Sequence, residues 1–207
     1  MEQDRPARLY LVTPDRFEPK EFARDLEVLF ETVPVACLRL ALGAADEESW
    51  RAAVNHLLPA CHAAEVALVI TDHYRLVQPL GLDGVHLEKG SAPVRAVRKE
   101  LGKDAIIGAA GGASRHLGMS LAEAGADYVS LGPVGDTGAL GAGERAEDTL
   151  FAWWAEMIET PVVAEGGAGP DAARRLAETA DFLVPDRRLW DGDALLPTLR
   201  EMAEILA

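Results

Sequence analysis

The sequence predicts a single (β/α)8 barrel, an α/β fold of TIM-barrel type. Eight apolar, strand-like runs alternate without interruption with helical patterns. Two of these runs end in glycine-rich exits, Val129-Ser130-Leu131-Gly132-Pro133 and Pro161-Val162-Val163-Ala164-Glu165-Gly166-Gly167-Ala168-Gly169. The length of 207 residues suits one such barrel, for which roughly 200 to 250 residues is ordinary. An open doubly wound sheet also alternates strands and helices. The barrel is preferred because the runs number eight and no glycine fingerprint follows the first of them. No linker or composition break divides the chain, so residues 1–207 are expected to form one domain.

The expected strands are residues 8–13, 35–40, 67–71, 84–87, 105–109, 128–131, 161–164 and 181–184. Each is a short apolar run of the kind buried on both faces in a parallel sheet. Between them, helix boundaries carry their usual signals. Pro19 sits near a first turn, Asp46 precedes Glu47-Glu48-Ser49-Trp50, Pro170 follows Gly169, and Gly102 and Gly125 act as stops.

Acidic residues number 34 against 20 basic ones, for a formal net charge of -14. Such a surface repels nucleic acid and anionic lipid, so neither is an expected partner. No apolar stretch approaches the ~20 residues of a membrane span. The charged start from Glu2 to Arg8 lacks the apolar core of a signal peptide, and Cys37 and Cys61 are too few for a disulfide framework. The expectation is a cytoplasmic protein with two buried thiols. The expected partner is a small molecule, with a phosphorylated one among the candidates. Trp153-Trp154 with Phe151 reads as a helix face packed on the barrel or on a second subunit of a homo-oligomer.

In a barrel of this kind, chemistry gathers where strands end. Those ends supply Thr13, Asp15 and Arg16, then Arg39, then Asp72 and His73, then His86, Glu88 and Lys89, then Asp136 and Thr137, then Glu165, and finally Asp186, Arg187 and Arg188. Arg39 reads either as a ligand-binding residue or as the partner of Asp72 or Glu88 in an internal ion pair. Asp72 reads as a functional carboxylate and candidate metal ligand. Gly166 and Gly167 read as a phosphate cradle, because glycine amides followed by a helix start favour an anion. Glu88, Asp136 and Glu165 are candidates for acid–base work. His86, inside an apolar run, reads more readily as a hydrogen-bonded core histidine than as a catalyst.

With those residues aligned, the chain resembles the thiamine phosphate synthase and thiazole tautomerase family of barrels over nearly its whole length. The resemblance rests on Leu9-Tyr10-Leu11-Val12-Thr13, Leu38-Arg39, Thr71-Asp72, Asp83-Gly84-Val85-His86-Leu87, Ile106-Ile107-Gly108, Gly125-Ala126-Asp127-Tyr128-Val129 with Gly132-Pro133-Val134, Thr137, and Pro161-Val162-Val163-Ala164 with Gly166-Gly167. It implies coupling of an aminopyrimidine pyrophosphate to a thiazole phosphate with loss of pyrophosphate. Magnesium on Asp72 and cationic side chains around the leaving group would assist. Arg39, Thr137, Gly166 and Gly167 are the ligand shell it implies.

The departures fall on that machinery. Cys37 and Ala41 stand where the family has a glutamine and a lysine beside the arginine. Ser91 replaces the second magnesium aspartate, Ala110 a serine and Leu140 the pyrophosphate lysine, and Val184-Pro185-Asp186 replaces a phosphate-binding Val-Ser segment. Pro133 occupies the position of the tautomerase histidine. Loss of one donor at a developing negative charge commonly costs about 10²-fold in rate. The expectation is therefore weakened or lost family activity. The alternatives are a barrel repurposed to bind a phosphorylated or heterocyclic molecule without coupling it, and an acid–base enzyme on the same scaffold.

Overall fold

The computed structural model describes residues 6–88, 93–135 and 145–207. Its strands are β1 (Arg8–Val12), β2 (Val35–Leu40), β3 (Ala67–Thr71), β4 (Gly84–Leu87), β5 (Ile106–Gly112), β6 (Tyr128–Leu131), β7 (Val162–Ala168) and β8 (Phe182–Pro185). They pair in chain order, all parallel, and β8 closes onto β1. Around them run α1 (Pro19–Thr32), α2 (Glu47–Ala63), α3 (Val77–Leu80), α4 (Val94–Leu101), α5 (Arg115–Glu123), α6 (Asp148–Met157), α7 (Pro170–Leu176) and α8 (Leu195–Leu206). The fold is thus the expected single (β/α)8 barrel.

Alternation along each strand divides the core in two. Leu9, Leu11, Leu38, Leu40, Leu68 and Ile70 join the layer between sheet and helices. Tyr10, Val12, Cys37, Val69, Tyr128, Val163 and Val184 fill the lumen. The same alternation turns Arg39, His86 and Ser130 inward, each flanked by buried apolar neighbours, and all three are buried. Phe151 and Trp154 are buried against the barrel, and the Trp154 indole donates to the Thr160 carbonyl at 2.7 Å. Cys37 and Cys61 are free, buried thiols, each pushed up to about 12 by burial.

The helix signals hold. α1 begins at Pro19, Asp46 caps α2 by accepting from the Ser49 amide at 2.9 Å, and Gly102 ends α4 at φ 85°. Two strands run longer than their apolar stretches suggest. β7 continues through Glu165, Gly166 and Gly167 to Ala168, and its register against β8 slips between Ala164 and Ala168. Gly166 and Gly167 absorb that slip at φ 87° and 75°, backbone that favours glycine. β5 likewise slips against β6 between Ala110 and Gly112. The glycine pair is therefore a bulge inside β7 rather than a loop beyond it.

At the opposite end of the barrel, an aspartate precedes each of β4, β6 and β8 and stitches it to the strand before. Asp83, Asp127 and Asp181 accept at Oδ2, each at 2.7 Å, from the amides of Leu68, Ile107 and Val162. Each also donates its own amide back to the carbonyl of the same residue, at 3.1, 2.8 and 3.0 Å. A carboxylate bonded this way fixes strand stagger at the end of the barrel where residues serve stability.

Candidate functional site

The mouth is built from β2, β3, β4 and β7. Arg39 leaves β2 pointing inward and lies 3% exposed. Its guanidinium donates from Nη2 to Glu165 Oε1 and from Nη1 to Glu165 Oε2, the second at 3.4 Å. Glu88 stands 3.7 Å away as a second carboxylate partner. The Tyr10 ring lies beneath, 5.9 Å from the guanidinium carbon. Arg39 is thus in an internal ion pair, with Glu165 rather than Asp72 or Glu88 as its principal partner.

Burial alone would raise the Glu165 carboxyl. The Arg39 charge, the nearby His86 and hydrogen bonds from Arg39 and Ser130 outweigh it and bring the carboxyl down to about 2. Glu165 therefore has no proton to give at neutral pH. Burial alone would likewise pull the Arg39 guanidinium down, but Glu165 holds its proton more firmly than usual. Glu88 differs: burial pushes its carboxyl up against the pull of Arg39, with Glu165 and Asp72 adding to the rise. Of the two carboxylates beside Arg39, Glu88 is the one whose affinity for a proton is raised.

Asp72 follows β3 at φ 58°, unusual for a residue with a side chain. Its Oδ1 accepts from the Glu88 amide at 2.8 Å and its own amide donates to the His86 carbonyl at 2.9 Å. Asp72 thus has a structural task, joining the exits of β3 and β4. Below it, His86 Nδ1 lies 3.0 Å from the Tyr128 hydroxyl, which lies 2.7 Å from that of Tyr10. Burial, with Arg39 adding to it, lowers the imidazole to about 3, so His86 is neutral. It is a hydrogen-bonded core histidine. Three buried polar atoms on consecutive strands have no partner among the described residues: Arg39 Nε, Thr71 Oγ1 and His86 Nε2. Such atoms call for a ligand or water.

The glycine exits pack against each other. Val134 N donates to Glu165 O at 3.1 Å and Gly166 O at 3.0 Å, and Gly135 N donates to Gly166 O at 2.9 Å. A Cβ on Gly132 would lie 2.1 Å from the Glu165 carbonyl oxygen. Close approach of β6 to β7 thus requires glycine there. Arg187, just beyond β8, is anchored. It donates to the Thr13 carbonyl at 2.6 and 3.0 Å, to Asp15 at 2.5 Å and to the Ala41 carbonyl at 3.3 Å. Arg188 forks onto Asp186 at 2.5 to 3.0 Å. Each of these three mouth arginines therefore has its own carboxylate.

Lys89, Ser91, Asp136, Thr137 and Leu140 lie outside the described residues. The sequence did not single out Tyr10, Tyr128 or Ser130; Tyr128 and Ser130 alternate with Val129 and Leu131, whereas nothing in its own run marks Tyr10 as inward. The resemblance implies magnesium on Asp72, and Ser91 stands where it would place a second aspartate. Among the described residues no group of three or more histidine, cysteine, aspartate or glutamate side chains could hold a metal ion. Asp72 already spends one oxygen on an amide.

A family model described as thiamine monophosphate synthase matches residues 9–183. The thiamine-phosphate synthase of Rhodospirillum centenum is 39% identical over 188 residues, covering 90% of this chain and 91% of the relative. That of Erythrobacter litoralis is 37% identical over 198 residues, covering 93% and 92%. Among solved structures, a thiamine phosphate pyrophosphorylase from Pyrococcus furiosus superposes with a TM-score of 0.82 at 20% identity, covering 96% of this chain and 95% of the other. A geranylgeranylglyceryl phosphate synthase from Thermoplasma acidophilum superposes with a TM-score of 0.72 at 14% identity, covering 99% and 94%.

Proposed function

Because the chain belongs to the thiamine monophosphate synthase family, we propose that its barrel mouth is a small-molecule site of that family in which the coupling reaction is weakened. The observation that carries this reading is the forked pairing of Arg39 with Glu165. A guanidinium held by a carboxylate within the protein has little charge left to stabilise a departing pyrophosphate. Arg187 and Arg188 are tied to Asp15 and Asp186 in the same way. Arg39, Asp72, Gly166 and Gly167 remain the proposed ligand shell, with Thr137 completing it, and phosphate oxygens would lie against the β7 bulge. The unmet polar atoms on Arg39, Thr71 and His86 favour a ligand with a polar edge entering the lumen. Magnesium is assigned no step here: Asp72 is the one carboxylate the resemblance leaves for it, Ser91 standing at the second position, and its other oxygen ligands would be substrate phosphates and water.

Pyrophosphate titration by calorimetry tests the reading. Wild type should bind weakly, and Glu165→Gln, if folded, should bind about tenfold more tightly because Arg39 is released. Tight binding by wild type would contradict it. A second reading, acid–base chemistry on the same scaffold, draws its support from Glu88 alone, whose carboxyl is pushed up by burial at the rim of the mouth.

A further inference from the structure

Beside the mouth, between the start of α2 and the exit of β3, lies a groove of about 470 Å³ lined by Ala45, Glu47, Trp50, Asp72, His73, Tyr74, Arg75 and Leu76. That volume is within the range of about 300–1,000 Å³ usual for small-molecule sites. Its walls are aromatic. Trp50 and His73 contact each other with ring centroids 4.6 Å apart, and Tyr74 follows directly in the chain. The turn presenting them is unusual. The His73 amide donates to the Thr71 carbonyl at 2.7 Å and the Tyr74 amide to the Asp72 carbonyl at 2.8 Å, giving two successive three-residue turns. The first is centred on Asp72 at positive φ, a strained conformation of the kind that persists where a site needs it.

The groove's charges are not all balanced. Glu47 is paired with Arg51 at 2.6 Å and Arg75 with Glu100 at 3.7 Å. Asp72 forms no ion pair among the described residues and accepts only the Glu88 amide at Oδ1. Asp72 is therefore the carboxylate here without an ion pair among the described residues, and it lies beside aromatic rings; the Tyr74 face already holds a cation, the 79% exposed Arg75, whose guanidinium carbon lies 5.5 Å from the ring centroid and which a bound cation would displace. Trp50, 3% exposed, also has an indole N–H without a partner among the described residues.

We propose that this groove is a second small-molecule site, distinct from the lumen but sharing Asp72 with its rim, and that it takes a flat aromatic heterocycle bearing a positive charge. The ring lies against Trp50, His73 and Tyr74, and Asp72 faces the charge. Asp72 also belongs to the ligand shell proposed for the mouth, so the aromatic residues, none of which belongs to that shell, are what set this site apart from it.

The test is calorimetric titration of the full chain with three probes of one shape: the N-methylnicotinamide cation, neutral nicotinamide and anionic nicotinate. The cation should bind with one site per chain, and nicotinamide about tenfold more weakly. Asp72→Asn, His73→Ala and Tyr74→Ala should each weaken the cation about tenfold, and circular dichroism should show them folded. The double change Arg39→Met, Glu165→Leu should leave cation binding unchanged. No binding of the cation, equal binding of all three probes, indifference to the three groove variants, or loss in the double variant would each overturn the proposal.

Discussion

Arg39 and Glu165, 126 residues apart in sequence, meet across the barrel from β2 and β7 as a two-pronged ion pair that is 4% exposed on the arginine side. An interior pair of this kind is costly to break from one side and cheap to replace whole. Glu165→Leu alone should cost about 3 kcal/mol, because it leaves a buried cation with only the more distant, half-exposed Glu88 as partner. The double change Arg39→Met, Glu165→Leu should recover most of that loss. Urea denaturation of wild type, both single variants and the double variant measures the coupling, and strictly additive losses would show that the pair is not held as described.

Acid should destabilise the protein in two overlapping steps. His86 titrates near 6.5 when exposed and is lowered to about 3 by burial. Between those values the unfolded chain takes up a proton that the folded chain refuses, so stability falls by about 1.4 kcal/mol per pH unit. Glu165 is lowered from 4.5 to about 2, so its contribution, full above 4.5, is lost as pH falls toward 2. His86→Gln should flatten the dependence between pH 6.5 and 4.5 and leave the lower step. An unchanged slope in that variant would show that His86 is not the group responsible.

Tyr128 fits the lumen only because residue 108 is glycine. A Cβ there would lie 1.9 Å from the Tyr128 ring carbon Cζ, and that ring is held by Tyr10 and stacked on His86 with centroids 5.6 Å apart. Gly108→Ala should therefore cost about 3 kcal/mol through overpacking. Adding Tyr128→Val should restore much of it, read as a recovery in the thermal midpoint.

The barrel itself was legible because eight doubly buried strands leave eight apolar runs with clear helix punctuation between them. The lumen was harder to read. In Leu9-Tyr10-Leu11-Val12 both faces are apolar, so nothing in the run marks Tyr10 as inward, and only closure of the sheet brings it to Tyr128. The β7 glycines read as an exit loop because a bulge and a turn use the same residue. The partner of Arg39 was hidden for a related reason. Asp72 and Glu88 stand nearer in sequence, whereas Glu165 becomes a neighbour only when β7 is placed opposite β2.

The central claim is that the mouth is a family site with its cations already neutralised. Its most direct measurement is the steady-state rate of coupling of the aminopyrimidine pyrophosphate with the thiazole phosphate, with magnesium present, run beside the Rhodospirillum centenum relative. Wild type should turn over at least ~10²-fold more slowly, and the triple change Ala41→Lys, Ser91→Asp, Leu140→Lys should raise its rate. Turnover by wild type equal to that of the relative would contradict the account.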